Sequence, residues 1–252
     1  ITIMASRRRG RLLDGVLLLD KPAGLSSNHA LQRARRALDA RKAGHTGTLD
    51  PFATGLLVCC FGRATKLSGL LLEADKAYEA TLQLGVETDS GDLTGEPVAT
   101  ATDFTITPEQ VYAILPQFTG AIQQIPPMYS ALKRDGKPLY EYARQGIELE
   151  RPPRDVTIHQ LEVLALSPTE IRIFVRCSKG TYIRTLAQDI GRALGCYAHL
   201  TALRRTQVGP FSIDHAVELE TLQNHSHGDS LLLALDSLPA ELQLDNLRKE
   251  AL

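Results

Sequence analysis

No apolar run in this 252-residue chain approaches the length of a membrane span, and the longest, Val16 to Leu19 and Leu56 to Phe61, are strand-sized. No signal peptide is expected, because Arg7-Arg8-Arg9 is not followed by a long enough apolar region. Cysteine is scarce: residues 59, 60, 177 and 196 show neither metal-ligand spacing nor a secreted disulfide pattern. Cys59 and Cys60 sit in an apolar stretch, where cysteine behaves as a small hydrophobe. A reducing cytoplasm is the expected location. His225 and His227 lie close together without a cysteine or carboxylate cluster, so no metal site is expected. There is no internal repeat, no low-complexity segment and no cofactor motif, and no cofactor is expected. Net charge is almost absent too, at −1.

That near-neutrality hides a gradient. Residues 1–50 carry ten Lys/Arg against four Asp/Glu, whereas residues 212–252 carry two against eight. A basic patch on an otherwise neutral protein is an electrostatic footprint suited to nucleic acid, although a solvated helix face gives the same pattern.

Local patterning predicts an α+β fold with a mixed, mostly antiparallel central sheet flanked by helices and loops. Val16–Leu19 reads as a buried strand. Ser26 or Ser27 can cap a helix through about Leu38, with Ala30, Ala34, Ala37 and Leu38 facing inward. Leu56–Phe61 lacks alternation, so its strand should be covered on both faces. Tyr78–Leu84 alternates, and residues 87–99 read as a loop. Thr107-Pro108-Glu109 starts a helix with a good cap and a proline at the first position. Residues 126–153, bounded by proline pairs and carrying interleaved tyrosines and charges, read as a surface insertion with a short amphipathic helix. Val156–Leu166 and Ile171–Cys177 should pair as strands. Thr181 can cap a helix ended by Gly195, with Ile183, Leu186, Ala187, Ile190 and Leu194 inward. A strand through Arg204–Val208 and a helix near residues 216–222 complete the expectation.

The most informative segment is Gly44-His45-Thr46-Gly47-Thr48-Leu49-Asp50-Pro51-Phe52-Ala53-Thr54-Gly55-Leu56-Leu57. Its glycines let the backbone take positive φ or approach a ligand closely. Pro51 disfavours the helical region for Asp50, which should sit on an extended or turn backbone. A lone carboxylate presented in this way suits a nucleophile or a charge stabiliser.

The whole segment closely resembles the catalytic motif of the TruB family of tRNA pseudouridine synthases. Further motifs resemble that family's in the family's order: Gly15 to Asn28 with Lys21-Pro22, Asp75-Lys76-Ala77-Tyr78, Ile125 to Lys133 continuing to Arg144, Cys177 to Leu186, and Leu203-Arg204-Arg205. Together they cover roughly residues 10–215.

The resemblance implies a synthase that isomerises the T-loop uridine at tRNA position 55 without metal or cofactor. It implies Asp50 as the catalytic carboxylate, Tyr78 stacking on the extruded base, Tyr182 beside that base and Arg184 as counterion to the aspartate. It implies that His45 fills the space vacated by flipped nucleotides, that Leu203 walls the pocket and that Lys21 braces the catalytic loop. Lys133, Arg144 and Lys179 would contact the RNA. Attack on the ribose, attack on the base and a glycal route all use Asp50, and the sequence does not choose among them.

The implied domains are a basic arm over 1–10, a catalytic domain over 11–235 with an RNA-gripping insertion at about 126–154, and over 236–252 a linker or the start of a truncated C-terminal PUA-like domain. A C-terminal PUA-like domain is expected to be absent or truncated. The expected partner is tRNA through its T-stem-loop, with no membrane and a monomeric state. Two rivals stand beside this reading: a guide-RNA-dependent, dyskerin-like synthase, and a non-catalytic RNA-binding or RNA-folding module on the same scaffold.

Overall fold

A computed structural model describes residues 9–244. Part of the basic arm, Arg7 and Arg8 included, and the end of the 236–252 linker lie outside the described residues. The chain opens with β1 (Gly15–Lys21), α1 (Ser27–Ala37), β2 (Ala43–His45), β3 (Thr54–Phe61) and α2 (Ser68–Glu73). Then come β4 (Lys76–Leu84), β5 (Val86–Thr88), β6 (Pro97–Thr100), α3 (Pro108–Ile114), β7 (Gly120–Gln124), β8 (Lys133–Arg134) and β9 (Lys137–Pro138). α4 (Leu139–Arg144), β10 (Arg154–Leu166), β11 (Glu170–Cys177) and α5 (Ile183–Ala193) follow. β12 (Ala198–Val208), β13 (Phe211–Ser212), β14 (Val217–Glu218) and α6 (Leu219–Asn224) come last.

These elements form two compact units, Ile1–Ala74 with Arg204–Leu252, and Asp75–Leu203. In the first unit the strand order is β14-β1-β3 and the second half of β12, with β2 also on β3 and β13 on β12. β1 and β3 pair antiparallel from Gly15 opposite Phe61 to Lys21 opposite Gly55. Their lack of alternation has the expected cause, since both faces are covered. Val16, Leu18, Leu56 and Val58 pack with Leu67, Leu71 and Phe211. Leu17, Leu19, Leu57 and Cys59 pack on the other face with α1 and α6.

The inward face of α1 runs through Ser27, Ala30, Leu31, Ala34 and the following Leu38. Ala37, expected inside, is exposed, and Leu31 is buried in its place. The 3.6-residue period centres the buried stripe between positions 30 and 31, which leaves 37 at its margin. Ser26 caps the helix, its side chain accepting from the His29 N–H.

In the second unit the order is the first half of β12, then β4, β11, β10 and β7. β11 pairs antiparallel with both β4 and β10. Alternation carries Ala80, Leu82 and Leu84 of β4, and Ile171, Ile173, Val175 and Cys177 of β11, into the core. Thr107 caps α3 in a full capping box with Gln110.

Two expectations need correction here. Residues 87–99 are not all loop, because β5 pairs with β6 around a turn in which the Asp92 carboxylate accepts from Ser90 and Thr94. Thr181 does not cap α5, since its hydroxyl donates to the Ser178 carbonyl at 2.8 Å. Tyr182 holds the cap position, and its N–H is taken by Gln124. The expected helix near 216–222 lies at 219–224, behind a short 3-10 turn and β14. The insertion does contain a short helix, α4, preceded by the β8–β9 hairpin.

Candidate active site

The residues singled out above divide between the two units. In the first unit, β2 and β3 are antiparallel neighbours, and residues 46–53 join them without regular secondary structure. Gly47 takes φ +137°, and the Ala53 N–H returns to the Asp50 carbonyl at 3.0 Å, so Asp50 opens a tight turn. Asp50 itself is half-buried.

Backbone groups in such a loop have no ladder to satisfy them, so they must be paired by other parts of the chain. The Ser27 hydroxyl accepts from the Leu49 N–H at 2.7 Å and donates to the Leu49 carbonyl at 2.8 Å. The Pro51 carbonyl accepts from the Gly24 N–H at 2.7 Å and from Lys21 Nζ at 3.3 Å. Lys21 is fully buried and also donates to the Pro22 and Leu25 carbonyls, each at 2.8 Å. Burial lowers the Lys21 ammonium to about 8, with the Asp50 charge opposing and the Arg205 charge reinforcing that fall. All three of these acceptors are backbone carbonyls.

Arg205 on β12 is buried, with its Nε on the Leu56 carbonyl at 2.9 Å and its Nη2 on the Gly47 carbonyl at 3.0 Å. Its neighbour Arg204 points to the other face of the strand and makes a two-pronged pair with Asp20 at 2.9 and 3.1 Å. Half-buried His45 ends β2. Burial, aided by the Arg205 charge, holds its imidazole below the usual range. Its Nδ1 has no hydrogen-bond partner among the described residues.

In the second unit Tyr78 is the third residue of β4, opposite Val175 of β11, and only 9% of its surface is exposed. Arg184 lies in the first turn of α5 and is 4% exposed, so it is not a surface arginine. Its Nη1 donates to the Ser90 carbonyl at 2.9 Å and its Nη2 to the Tyr129 carbonyl at 2.6 Å. One buried guanidinium thus ties the β5–β6 turn and the base of the insertion to a helix start. Gly91 makes room for it, since a Cβ there would lie 3.0 Å from the Arg184 Cβ.

Tyr182 is fixed through its backbone: the Gln124 amide accepts from its N–H at 2.9 Å and donates to its carbonyl at 3.2 Å. Leu203 is buried on β12. Lys133 is exposed on β8, Lys179 is exposed after β11, and the Arg144 guanidinium lies 4.9 Å from the centre of the Tyr140 ring. Lys137 of β9 lies 4.6 Å over the ring of Tyr142 on the same helix.

Sequence reasoning missed Ser27, Gln124 and Arg205 as positioning groups. Ser27 was visible only as a potential helix cap. Arg205 was visible within a motif, but nothing local distinguishes it from Arg204. Gln124 carries no local signal, because its partner Tyr182 is 58 residues away. Among the described residues no three His, Cys, Asp or Glu side chains converge as a metal site, and no helix is long and apolar enough to cross a membrane.

The model of the TruB family pseudouridylate synthase N-terminal domain matches residues 35–183, and that of the tRNA pseudouridylate synthase B C-terminal domain matches residues 184–241. The chain is 70% identical to tRNA pseudouridine synthase B of Bordetella pertussis over 94% of its own length and 98% of the relative's. It is 60% identical to tRNA pseudouridine synthase B of Aromatoleum aromaticum over 93% of its length and 72% of the relative's. Among solved structures, a chain of a Cbf5-Nop10-Gar1 complex superposes with a TM-score of 0.67 at 31% identity, over 84% of this chain and 54% of that one. A chain from an H/ACA RNP bound to a substrate RNA containing 2′-deoxyuridine gives 0.65 at 25% identity, over 95% and 63%. The chain thus spans a little over half the length of those solved chains. With a domain model matched over more than half its length, and with a 70% identical relative matched almost end to end, the chain belongs to the TruB family of pseudouridylate synthases.

Proposed function

We propose that this chain isomerises the T-loop uridine at tRNA position 55 to pseudouridine, with Asp50 as its catalytic carboxylate. The observation that carries the reading is the Asp50 loop, whose backbone is paired on both sides of the aspartate by buried groups. Family membership and the names of the relatives supply the reaction and the substrate. The solved neighbours from a Cbf5-Nop10-Gar1 complex and from an H/ACA RNP are 31% and 25% identical, whereas the tRNA enzymes are 60–70% identical, which favours tRNA over a guide-dependent substrate.

The reaction breaks the N1–C1′ bond of uridine, turns the base and forms a C5–C1′ bond. The C5 hydrogen leaves to solvent and N1 gains a proton, so atoms balance without oxidant or hydrolytic water. A carboxylate can trap or stabilise an oxocarbenium-like ribose, as in retaining glycosidases. Attack on the base and a glycal route remain equally open to Asp50.

The target base must leave the RNA stack. In this reading Tyr78 stacks on the extruded uracil and Tyr182 assists removal of the C5 proton. Arg184 supplies the counter-charge, Leu203 walls the base, and a neutral His45 fills the vacated stack. Lys133, Arg144 and Lys179 meet phosphates. The catalytic domain is taken as residues 11–235 with its insertion at about 126–154, and the enzyme as a cytoplasmic monomer acting without metal.

Tritium release from a C5-labelled T-stem-loop RNA tests this. The chain should release label, and Asp50→Asn should bind the RNA with most of its affinity while releasing none. Residual turnover within about tenfold of the wild type would remove Asp50 from the chemistry.

A further inference from the structure

Four residues flanking Asp50, three before it and one after, are held by three separate stretches of the chain. Gly47 and Thr48 offer their carbonyls to Arg205, at 3.0 and 3.4 Å. Leu49 is tied through both its N–H and its carbonyl to Ser27 of α1. Pro51 is tied to Gly24 and Lys21, which follow and end β1. Arg205 also reaches past the loop, because its Nε donates to the Leu56 carbonyl in β3 at 2.9 Å.

The backbone of Arg205 is engaged as well. It is the register partner of Gly55, and a Cβ on Gly55 would lie 2.3 Å from the Arg205 carbonyl oxygen. β12 therefore lies hard against the strand into which the loop runs, and its buried guanidinium reaches back over the loop.

We infer that Arg205 is a positioning residue for the proposed reaction: its guanidinium sets the orientation of the Asp50 carboxylate by tying the loop backbone before it, at Gly47 and Thr48, to the strand after it, at Leu56. The inference rests on the reading of Asp50 given under Proposed function. A planar guanidinium presents several donors in a fixed fork, and a lysine ammonium cannot span the Leu56 and Gly47 carbonyls with the same geometry. Reacting groups tolerate little displacement, and an error of about 1 Å can cost about a hundredfold in rate. Ser27 serves the same loop through hydrogen bonds alone, without a charge.

The test compares Arg205→Lys and Arg205→Gln with the wild-type chain by tritium release from T-stem-loop RNA. kcat and KM are resolved separately, and the folded fraction is taken from urea melts. Arg205→Lys keeps the charge and loses the fork. Its kcat should fall about 10- to 100-fold, with KM within about threefold because the RNA-binding surface is untouched. Arg205→Gln should fall further, having lost both the charge and most of the donors.

A kcat within twofold of the wild type in Arg205→Lys overturns the inference. So does a loss that merely tracks the folded fraction, or one that raises KM as much as it lowers kcat. If neither variant folds, Ser27→Ala decides, since it frees Leu49 without changing charge. A lower kcat at unchanged KM upholds positioning of the loop from its surroundings, and an unchanged kcat overturns it. An inactive wild-type chain would instead refute the proposed function, and that outcome is read before any variant is compared.

Discussion

Gly55→Ala is the substitution for which the structure gives the sharpest magnitude. Gly55 takes φ +111°, a conformation that side-chain-bearing residues rarely adopt. A Cβ there would meet the Arg205 carbonyl oxygen at 2.3 Å, its nitrogen at 2.6 Å and its carbonyl carbon at 3.0 Å. All three are backbone atoms of a paired strand, so no side chain can rotate away, and β3 and β12 must part. Holding a non-glycine residue at such a φ costs about 1–3 kcal/mol, and overpacking typically adds about 1–3 kcal/mol. Reduced freedom of the unfolded chain returns about 0.4–1 kcal/mol. The net loss should be about 2–5 kcal/mol, a large share of the roughly 5–15 kcal/mol that holds a domain folded.

Gly24→Ala is the control. Gly24 has φ +90° but no atom within 4 Å of its would-be Cβ, so only the backbone term applies. Urea denaturation of both variants, with m unchanged, gives the difference between them, which isolates the close approach. Gly55→Ala should be the less stable by about 1–3 kcal/mol. Equal midpoints, or a Gly55→Ala loss below about 1 kcal/mol, would mean that the two strands do not approach as described.

Two other expectations follow from the site. Lys21 has a folded value near 8, below its ordinary 10.5, so the charged form is disfavoured in the folded chain. Its contribution to stability therefore rises as pH climbs from about 8 to 10.5, where the unfolded chain still holds the proton. Over the same climb the Pro22, Leu25 and Pro51 carbonyls lose a charged donor, so kcat should decline as pH passes about 8, and Lys21→Arg should flatten that limb. A wild-type profile flat to pH about 9.5 would contradict the bracing role. At Tyr78, removal of the ring should cost RNA binding about 1–3 kcal/mol on the base–aromatic scale, so Tyr78→Ala should bind far more weakly than Tyr78→Phe. Equal weakening of the two variants in a filter-binding titration would replace stacking with a hydroxyl contact.

Much of the architecture was legible in the sequence, because local physics decides it. Alternation placed β4 and β11, the Thr107-Pro108 pair started α3, and Gly195 with φ +76° follows the end of α5. The absence of alternation in β3 marked a strand covered on both faces. The Asp50 loop was legible as well, since its glycines and proline restrict its own backbone whatever surrounds it. Errors came where two local choices were nearly equal. Thr181 is as good a cap by type as any residue, yet Gln124, from 58 positions away, supplies what the Tyr182 N–H needs. Ala37 and Leu31 flank one helical stripe, and the packing of α1 against β1, β3 and α6 selects Leu31.

The sequence by itself determined most of the longer strands and helices, though not the β5–β6 pair, and which carboxylate stands in the glycine-rich loop. Tertiary structure decided what holds that carboxylate in place. Arg204 and Arg205 are adjacent and chemically identical, and strand alternation requires only that they face opposite ways. Which of them is buried depends on partners far along the chain. Asp20 takes Arg204 from 184 residues away, and Gly47, Thr48 and Leu56 take Arg205 from 149 to 158 away. Such pairings cost loop-closure entropy that only the assembled core recovers, so they exist in the folded chain and leave no pattern in the residues around them.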